Sequence, residues 1–152
     1  MLYEIIANKI LMVSFCAWAV AQLVKVLISL VREKRLNLRY MVGSGGVLSA
    51  HSTIVCALAT SVAMTMGLGS VAFGIVAILA LVVMYDATVE RQEVGQQSVI
   101  LNRIIQELRF RRPMAELERD LREFIGHSPF QVFAGASLGI FIAWLWLTIG
   151  GV

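Results

Sequence analysis

The chain has 152 residues, of which 59% are hydrophobic and 15% charged. A soluble domain of this size carries about 25% charged residues, so the composition belongs to a membrane protein of one domain, residues 1–152. A formal net charge of +3 is too small to imply nucleic acid as a partner, and the two cysteines, Cys16 and Cys56, have no metal-ligand spacing. Both cysteines fall in apolar stretches and read as small buried residues.

A helix needs about 20 mostly apolar residues to span a bilayer. Four segments qualify, near 10–30, 49–66, 68–85 and 130–149. The first has a small-x-small sequence at Ala19-Val20-Ala21. It is nevertheless read as a span, because its apolar run exceeds the h-region of a cleaved signal, about 7–15 residues, and the preceding Lys9 is offset by Glu4. The connections agree with four spans. Gly43-Ser44-Gly45-Gly46 precedes the second, and Gly67, Gly69 and Ser70 join the second to the third. Ser128-Pro129 opens the fourth as an N-cap followed by proline at the first helical position, and Gly150-Gly151 closes it.

The polar region 86–127 contains Val99, Ile100, Ile104, Ile105 and Leu108 at helical spacing, then Leu117, Leu121, Phe124 and Ile125 beyond Pro113. This pattern predicts two amphipathic helices lying on or near the membrane surface. The expected fold is therefore all-α, with four transmembrane helices plus two interfacial ones. No internal repeat or low-complexity tract interrupts it.

Of the 13 Lys and Arg residues, only Lys9 precedes the first span. The others fall at the end of span one, in the 31–48 connection or in the 86–127 region. An up-and-down threading puts those places on one side, which the positive-inside rule makes cytoplasmic. Both termini then face outward, and a bacterial inner or plasma membrane is the expected location.

Four ionisable residues fall at helix ends on that side. Taken singly, Lys25 reads as a lysine snorkelling to the interface, His51 as an interfacial histidine, Arg91 as an ordinary positive-inside residue and His127 as a loop histidine. Taken together they are more telling. The only two histidines both lie at the cytoplasmic starts of spans, where helix dipoles and free N–H groups favour anions. The glycine-rich stretch before His51 lets backbone amides approach a phosphate. Two imidazoles and two cations suit phosphoryl transfer with no metal or other cofactor. One imidazole attacks phosphorus, the other protonates the leaving oxygen, and the cations neutralise the equatorial oxygens.

The motifs Gly45-Gly46-Val47-Leu48-Ser49-Ala50-His51-Ser52, Asp86-Ala87-Thr88 with Arg91, Gly95-Gln96-Gln97 with Leu101-Asn102, and Gly126-His127-Ser128-Pro129 with Val132 and Gly135 resemble the small divergent branch of the type-2 phosphatidic acid phosphatase superfamily. That superfamily also includes the vanadium-dependent haloperoxidases. The resemblance covers roughly residues 20–140 and implies a phosphatase working through a phosphohistidine. On it, His127 is the nucleophile and His51 the general acid. Lys25 and Arg91 clamp the phosphate with help from Ser49 and the amides near Gly46. Arg32 lies seven residues after Lys25, as in the superfamily's first motif, although Glu33 stands where that motif has proline. Asp86 would orient Arg91 or bind backbone.

The second motif usually carries proline where this chain has Leu48, and Val89-Glu90 replaces an expected Gly-Val pair before Arg91. Glu90 and Glu93 add negative charge near the anion site. The nucleophilic histidine is usually followed four residues later by a carboxylate, here Gln131. An amide can orient the ring but cannot stabilise its cation. Two readings follow. The first is an enzyme hydrolysing a lipid phosphomonoester or diphosphate at the cytoplasmic leaflet. The second is a catalytically impaired member of the family acting as a lipid-phosphate binder or a small subunit of a membrane complex. The expected partners are membrane lipids and a lipid phosphate, and a homodimer or larger complex is compatible with so thin a bundle. Gly135 and Gly139 form a small-x-x-x-small pair that serves either packing inside the bundle, the preferred reading, or contact with a partner helix.

Overall fold

The computed structural model describes residues 2–33, 48–89, 97, 100–101 and 128–150. Within them the elements are all helical: α1 (Leu2–Ala7), α2 (Lys9–Glu33), α3 (Ala50–Met66), α4 (Val71–Thr88) and α5 (Pro129–Ile149). Three of these, α2, α4 and α5, are long and apolar enough to cross a membrane, while α3, at 17 residues, is an apolar helix one residue shorter than α4. At 1.5 Å per residue α3 is about 26 Å long, a little less than the hydrocarbon thickness of about 30 Å. The two amphipathic helices expected in 86–127 lie outside the described residues, apart from Gln97, Ile100 and Leu101, which are helical.

The caps explain where the helices begin. Ser49 Oγ accepts from the Ser52 N–H at 3.3 Å to start α3. Ser70 Oγ accepts from the Phe73 N–H at 3.1 Å and donates to the Gly67 carbonyl at 2.8 Å. That hydroxyl moves the start of α4 to Val71, three residues later than the apolar run beginning at Leu68 suggests. The helix correspondingly continues through Asp86, which belongs to its last turn and not to the polar region after it. Gly67 ends α3 at φ +85°, a conformation that L side chains rarely adopt, with no neighbour within 4 Å of where a Cβ would stand. The α3–α4 hairpin can therefore be four residues long.

The helix α3 sits at the centre and packs against α2, α4 and α5. Small residues set these contacts. One core cluster joins Val13 and Ala17 of α2 to Ala57 of α3 and to Ala143 and Leu147 of α5. A second joins Val55 and Cys56 of α3 to Ala80 of α4 and Ala136 of α5. The closest approach is between α3 and α5. A Cβ on Gly135 would collide with the Ser49 carbonyl oxygen and reach 3.2 Å from Thr53 Oγ1, and one on Gly139 would collide with the Thr53 carbonyl oxygen. The Gly135–Gly139 face is thus used inside the bundle, as small-residue faces are in membrane helix pairs. Because Gly135 meets Ser49 and Gly139 meets Thr53 and Ala57, α3 and α5 run parallel. By contrast α4 buries only Ala80 and Ala87 and turns Val71, Ile75, Leu79 and Val82 outward, the pattern of a helix facing lipid. Cys56 is buried and Cys16 only half-buried, and both are free thiols.

Candidate phosphate site at the helix ends

The starts of α3 and α5 are tied together. The Ser49 N–H donates to the Gln131 carbonyl at 3.0 Å. This bond links the N-cap of α3 to the first turn of α5, so His51, the second residue of α3, and Ser128, the N-cap of α5, belong to one end of the bundle. Two helix N-termini therefore open in the same place, each presenting N–H groups with no intrahelical acceptor and the positive end of its dipole.

Helix register brings the other elements to that end. Ala17, Ala57 and Ala143 share one core cluster. Lys25 is eight residues beyond Ala17, while Ser49 and Gly135 are eight residues before Ala57 and Ala143. In the up-and-down threading, with α2 running opposite to α3 and α5, all three are displaced about 12 Å from the cluster in the same direction. Likewise Asp86 is six residues beyond Ala80, and Ser49 six before Val55, its neighbour in the second cluster. Asp86 thus reaches the same level, about 9 Å from that cluster. Ser49, Asp86 and Gln131 accordingly lie at one end of the structure, and the same threading brings Lys25 to it.

Their environments differ. Lys25 is only 5% exposed, although α2 continues for two further turns to Glu33. A lysine that snorkelled freely would show its ammonium to water; this one faces the bundle, where intramembrane cations are usually functional. Among the described residues no hydrogen bond or ion pair reaches its ammonium. Asp86 is half-buried and His51 exposed.

Ser49 is fully buried, and its hydroxyl accepts from both the Ser52 N–H and, at 2.9 Å, the Ser52 hydroxyl. Only its own proton is left to offer an anion. Leu48, where the related motif has proline, is buried at 8% exposure.

Gln131 has a structural task as well as its position four residues after His127. Its Oε1 accepts from the Ser128 N–H at 2.8 Å, while its own N–H donates to Ser128 Oγ at 3.4 Å. This reciprocal capping box satisfies two donors that the first turn would otherwise leave open. A glutamate can fill the same role, so the amide is not required by the fold.

Gly46, Arg91 and His127 lie outside the described residues. Arg32 lies in the last turn of α2.

A family model described as a divergent PAP2 family matches residues 6–142. The chain belongs to that family. The uncharacterized membrane protein YuiD of Bacillus subtilis (strain 168) is 35% identical over 150 residues, which covers 91% of this chain and 94% of YuiD. No solved structure matches. The family agrees with the resemblance carried by the two histidine motifs, and the apolar helices α2, α4 and α5 make the chain an integral membrane protein.

Several polar residues were given no role by the sequence motifs. Gln22, Ser29 and Thr53 lie outside them, Ser52 closes the first, and all four are buried. The available signal was spacing. Gln22, Lys25 and Ser29 recur at i, i+3 and i+7 on an otherwise apolar helix, and Ser49, Ser52 and Thr53 at i, i+3 and i+4. Such spacings put each set on one helical face.

Proposed function

We propose that the chain is a membrane-embedded phosphatase that removes phosphate from a phosphomonoester or diphosphate lipid at the cytoplasmic leaflet. The observation that carries this reading is the Ser49–Gln131 hydrogen bond of 3.0 Å. It joins the helix start bearing His51 to the helix start that follows His127, at the end to which an up-and-down threading brings the buried Lys25. In the proposed threading α3 crosses as a fourth span and the 86–127 region carries two amphipathic helices on the cytoplasmic side. Both termini face outward.

In the proposed reaction an imidazole nitrogen of His127 attacks phosphorus as the P–O bond to the lipid breaks. His51 gives its proton to the departing alkoxide. It then takes a proton from the water that attacks the phosphohistidine, and inorganic phosphate leaves. Lys25 and Arg91 neutralise the equatorial oxygens, and the amides near Gly46 and at the α3 start hydrogen-bond them. Arg32 stands near enough in sequence to Lys25 to add charge, and Asp86 would hold Arg91. A lipid substrate fits because its tail can remain in the bilayer while its head meets the helix ends.

A second reading has its own support. Gln131 stands where a carboxylate would hold the histidine cation, and a family member without that charge serves as a lipid-phosphate binder or as a small subunit in a membrane complex. The test is phosphate release from short-chain lipid phosphates by the purified protein beside His127→Ala. Release by the wild type and loss in the variant supports the enzyme; equal release removes His127 as nucleophile. Binding of the lipid without release by either protein favours the second reading. Vanadate, which adopts the trigonal-bipyramidal geometry of phosphoryl transfer, should inhibit the wild type.

A further inference from the structure

Two described side chains, Gln22 and Ser61, bury an oxygen without a hydrogen bond; Ser61 lies twelve residues beyond Ser49 on α3, away from the helix starts, whereas Gln22 is three residues from Lys25. Gln22 is 8% exposed, and its Oε1 is buried without a hydrogen bond from any described residue. Buried carbonyl oxygens are nearly always paired, and an unpaired one inside a bilayer-spanning bundle is costly. The buried hydroxyls of α2 and of the start of α3 are engaged elsewhere. The Ser52 hydroxyl donates to Ser49 Oγ at 2.9 Å, and the Thr53 hydroxyl donates to the Ser49 carbonyl at 3.0 Å. On α2 itself, the Ser29 hydroxyl donates to the Val26 carbonyl at 3.1 Å and the Ser14 hydroxyl to the Ile10 carbonyl at 2.8 Å.

The position of Gln22 says what could satisfy it. It precedes Lys25 by three residues, nearly one turn, so it lies about 4.5 Å farther into the bilayer on nearly the same face. In the same threading it stands level with Ser52, the two being five residues from Ala17 and Ala57 of the shared core cluster. That inner face of α2 packs against α3 and α5. A lipid whose phosphate meets Lys25 would send the first atoms of its backbone toward Gln22.

We infer that Gln22 is a specificity-determining residue that accepts a hydrogen bond from a hydroxyl next to the phosphate ester. It therefore favours a phosphorylated glycerol-type lipid with a free hydroxyl over a prenyl phosphate, which offers only hydrocarbon at that depth. The inference rests on the reading of the site as one for lipid phosphates, but not on turnover. A site built to pair a ligand hydroxyl rejects the analogue without it, because its own polar group is then stranded.

The test measures binding to the full-length protein in lipid nanodiscs. The probes are a monoacylglycerol phosphate, the matched acyl propanediol phosphate lacking the hydroxyl, and farnesyl phosphate. Wild type should bind the first about tenfold more tightly than the second. Gln22→Met, close in volume, should bring that ratio near one and leave farnesyl phosphate binding unchanged. A wild-type ratio within twofold overturns the inference, and that measurement does not depend on how the variant folds. A ratio that persists in Gln22→Met also overturns it. If none of the three lipids binds, the inference falls together with the lipid-phosphate reading. If the hydroxyl is discriminated but no phosphate is released, only the phosphatase reading falls.

Discussion

Replacing Gly139 by alanine probes the contact on which the site end depends. The new methyl group would overlap the Thr53 carbonyl oxygen and stand 3.1 Å from the Ala57 nitrogen. Both are backbone atoms of a helix, so neither can turn aside as a side chain would. Restoring ordinary contact, about 3.5–4 Å between heavy atoms, requires α3 and α5 to part by on the order of 1 Å. The Ser49–Gln131 bond starts at 3.0 Å, and such a shift stretches it to or past the limit of a useful N–H···O contact, about 3.2 Å. Overpacking of a well-filled interface costs about 1–3 kcal/mol, and loss of this bond adds about 1 kcal/mol.

Gly135→Ala presses on the same interface one turn away. Separation that relieves one clash relieves the other, so the double variant should cost less than the sum of the two singles. Neighbouring sites often depart from additivity by 0.5–3 kcal/mol in this way. The assay is reversible unfolding in mixed micelles with rising denaturing detergent, read by tryptophan fluorescence. Gly74→Ala is the control, since nothing lies within 4 Å of a Cβ there. It should be neutral or slightly stabilising, because alanine outranks glycine in helices by about 1 kcal/mol. A Gly139→Ala variant as stable as Gly74→Ala would refute the close packing. Strict additivity in the double variant would refute the shared separation.

Other outcomes follow from the same geometry. Gln131→Glu keeps the capping-box acceptor and adds a negative charge at a helix N-terminus, so stability should hold or rise by about 0.3–1 kcal/mol; a large gain in phosphate release would show that the missing carboxylate limits the native site, and no change would remove that explanation. Ser49→Ala removes the α3 cap and should cost about 1–2 kcal/mol by the same detergent titration, whereas an unaltered midpoint would deny the cap its role. Lys25→Met takes a buried ammonium out of the bundle and should leave stability unchanged or raise it. The same variant should bind vanadate and lipid phosphates at least tenfold more weakly, and undiminished affinity would remove Lys25 from the site.

Any homodimer has less freedom than the sequence alone allows. The Gly135–Gly139 face is taken by α3 within the chain, so a second copy would have to use another surface. Trp144 and Trp146, half-exposed near the far end of α5, fit an interfacial aromatic belt without any partner.

Much of the architecture was legible in the order of residues. Apolar length marks α2, α4 and α5 because hydrocarbon admits only backbones that satisfy their own hydrogen bonds. Ser128-Pro129 marks the start of α5 because an N-cap and a first-turn proline act within a few residues. The two histidine motifs carry the family for a similar reason, since each is a short local sequence. The start of α4 was less legible: hydropathy alone begins the span at Leu68, but the Ser70 hydroxyl decides between turn and helix.

Only the tertiary structure decided what faces what. The glycines of α5 could have served a partner, and the fold turns them onto Ser49 and Thr53. Lys25 reads by itself as a snorkelling lysine, and the packing of α2 against α3 and α5 buries it. Gln131 reads as a histidine orienter, and its Oε1 caps Ser128. Gln22 carries no motif at all, and its unpaired oxygen becomes visible only once Ser52 and Thr53 have spent their hydroxyls on Ser49. Periodicity fixes the side of a helix on which a residue stands, but burial and pairing depend on which other helix arrives there, and that is set by contacts between residues far apart in the chain.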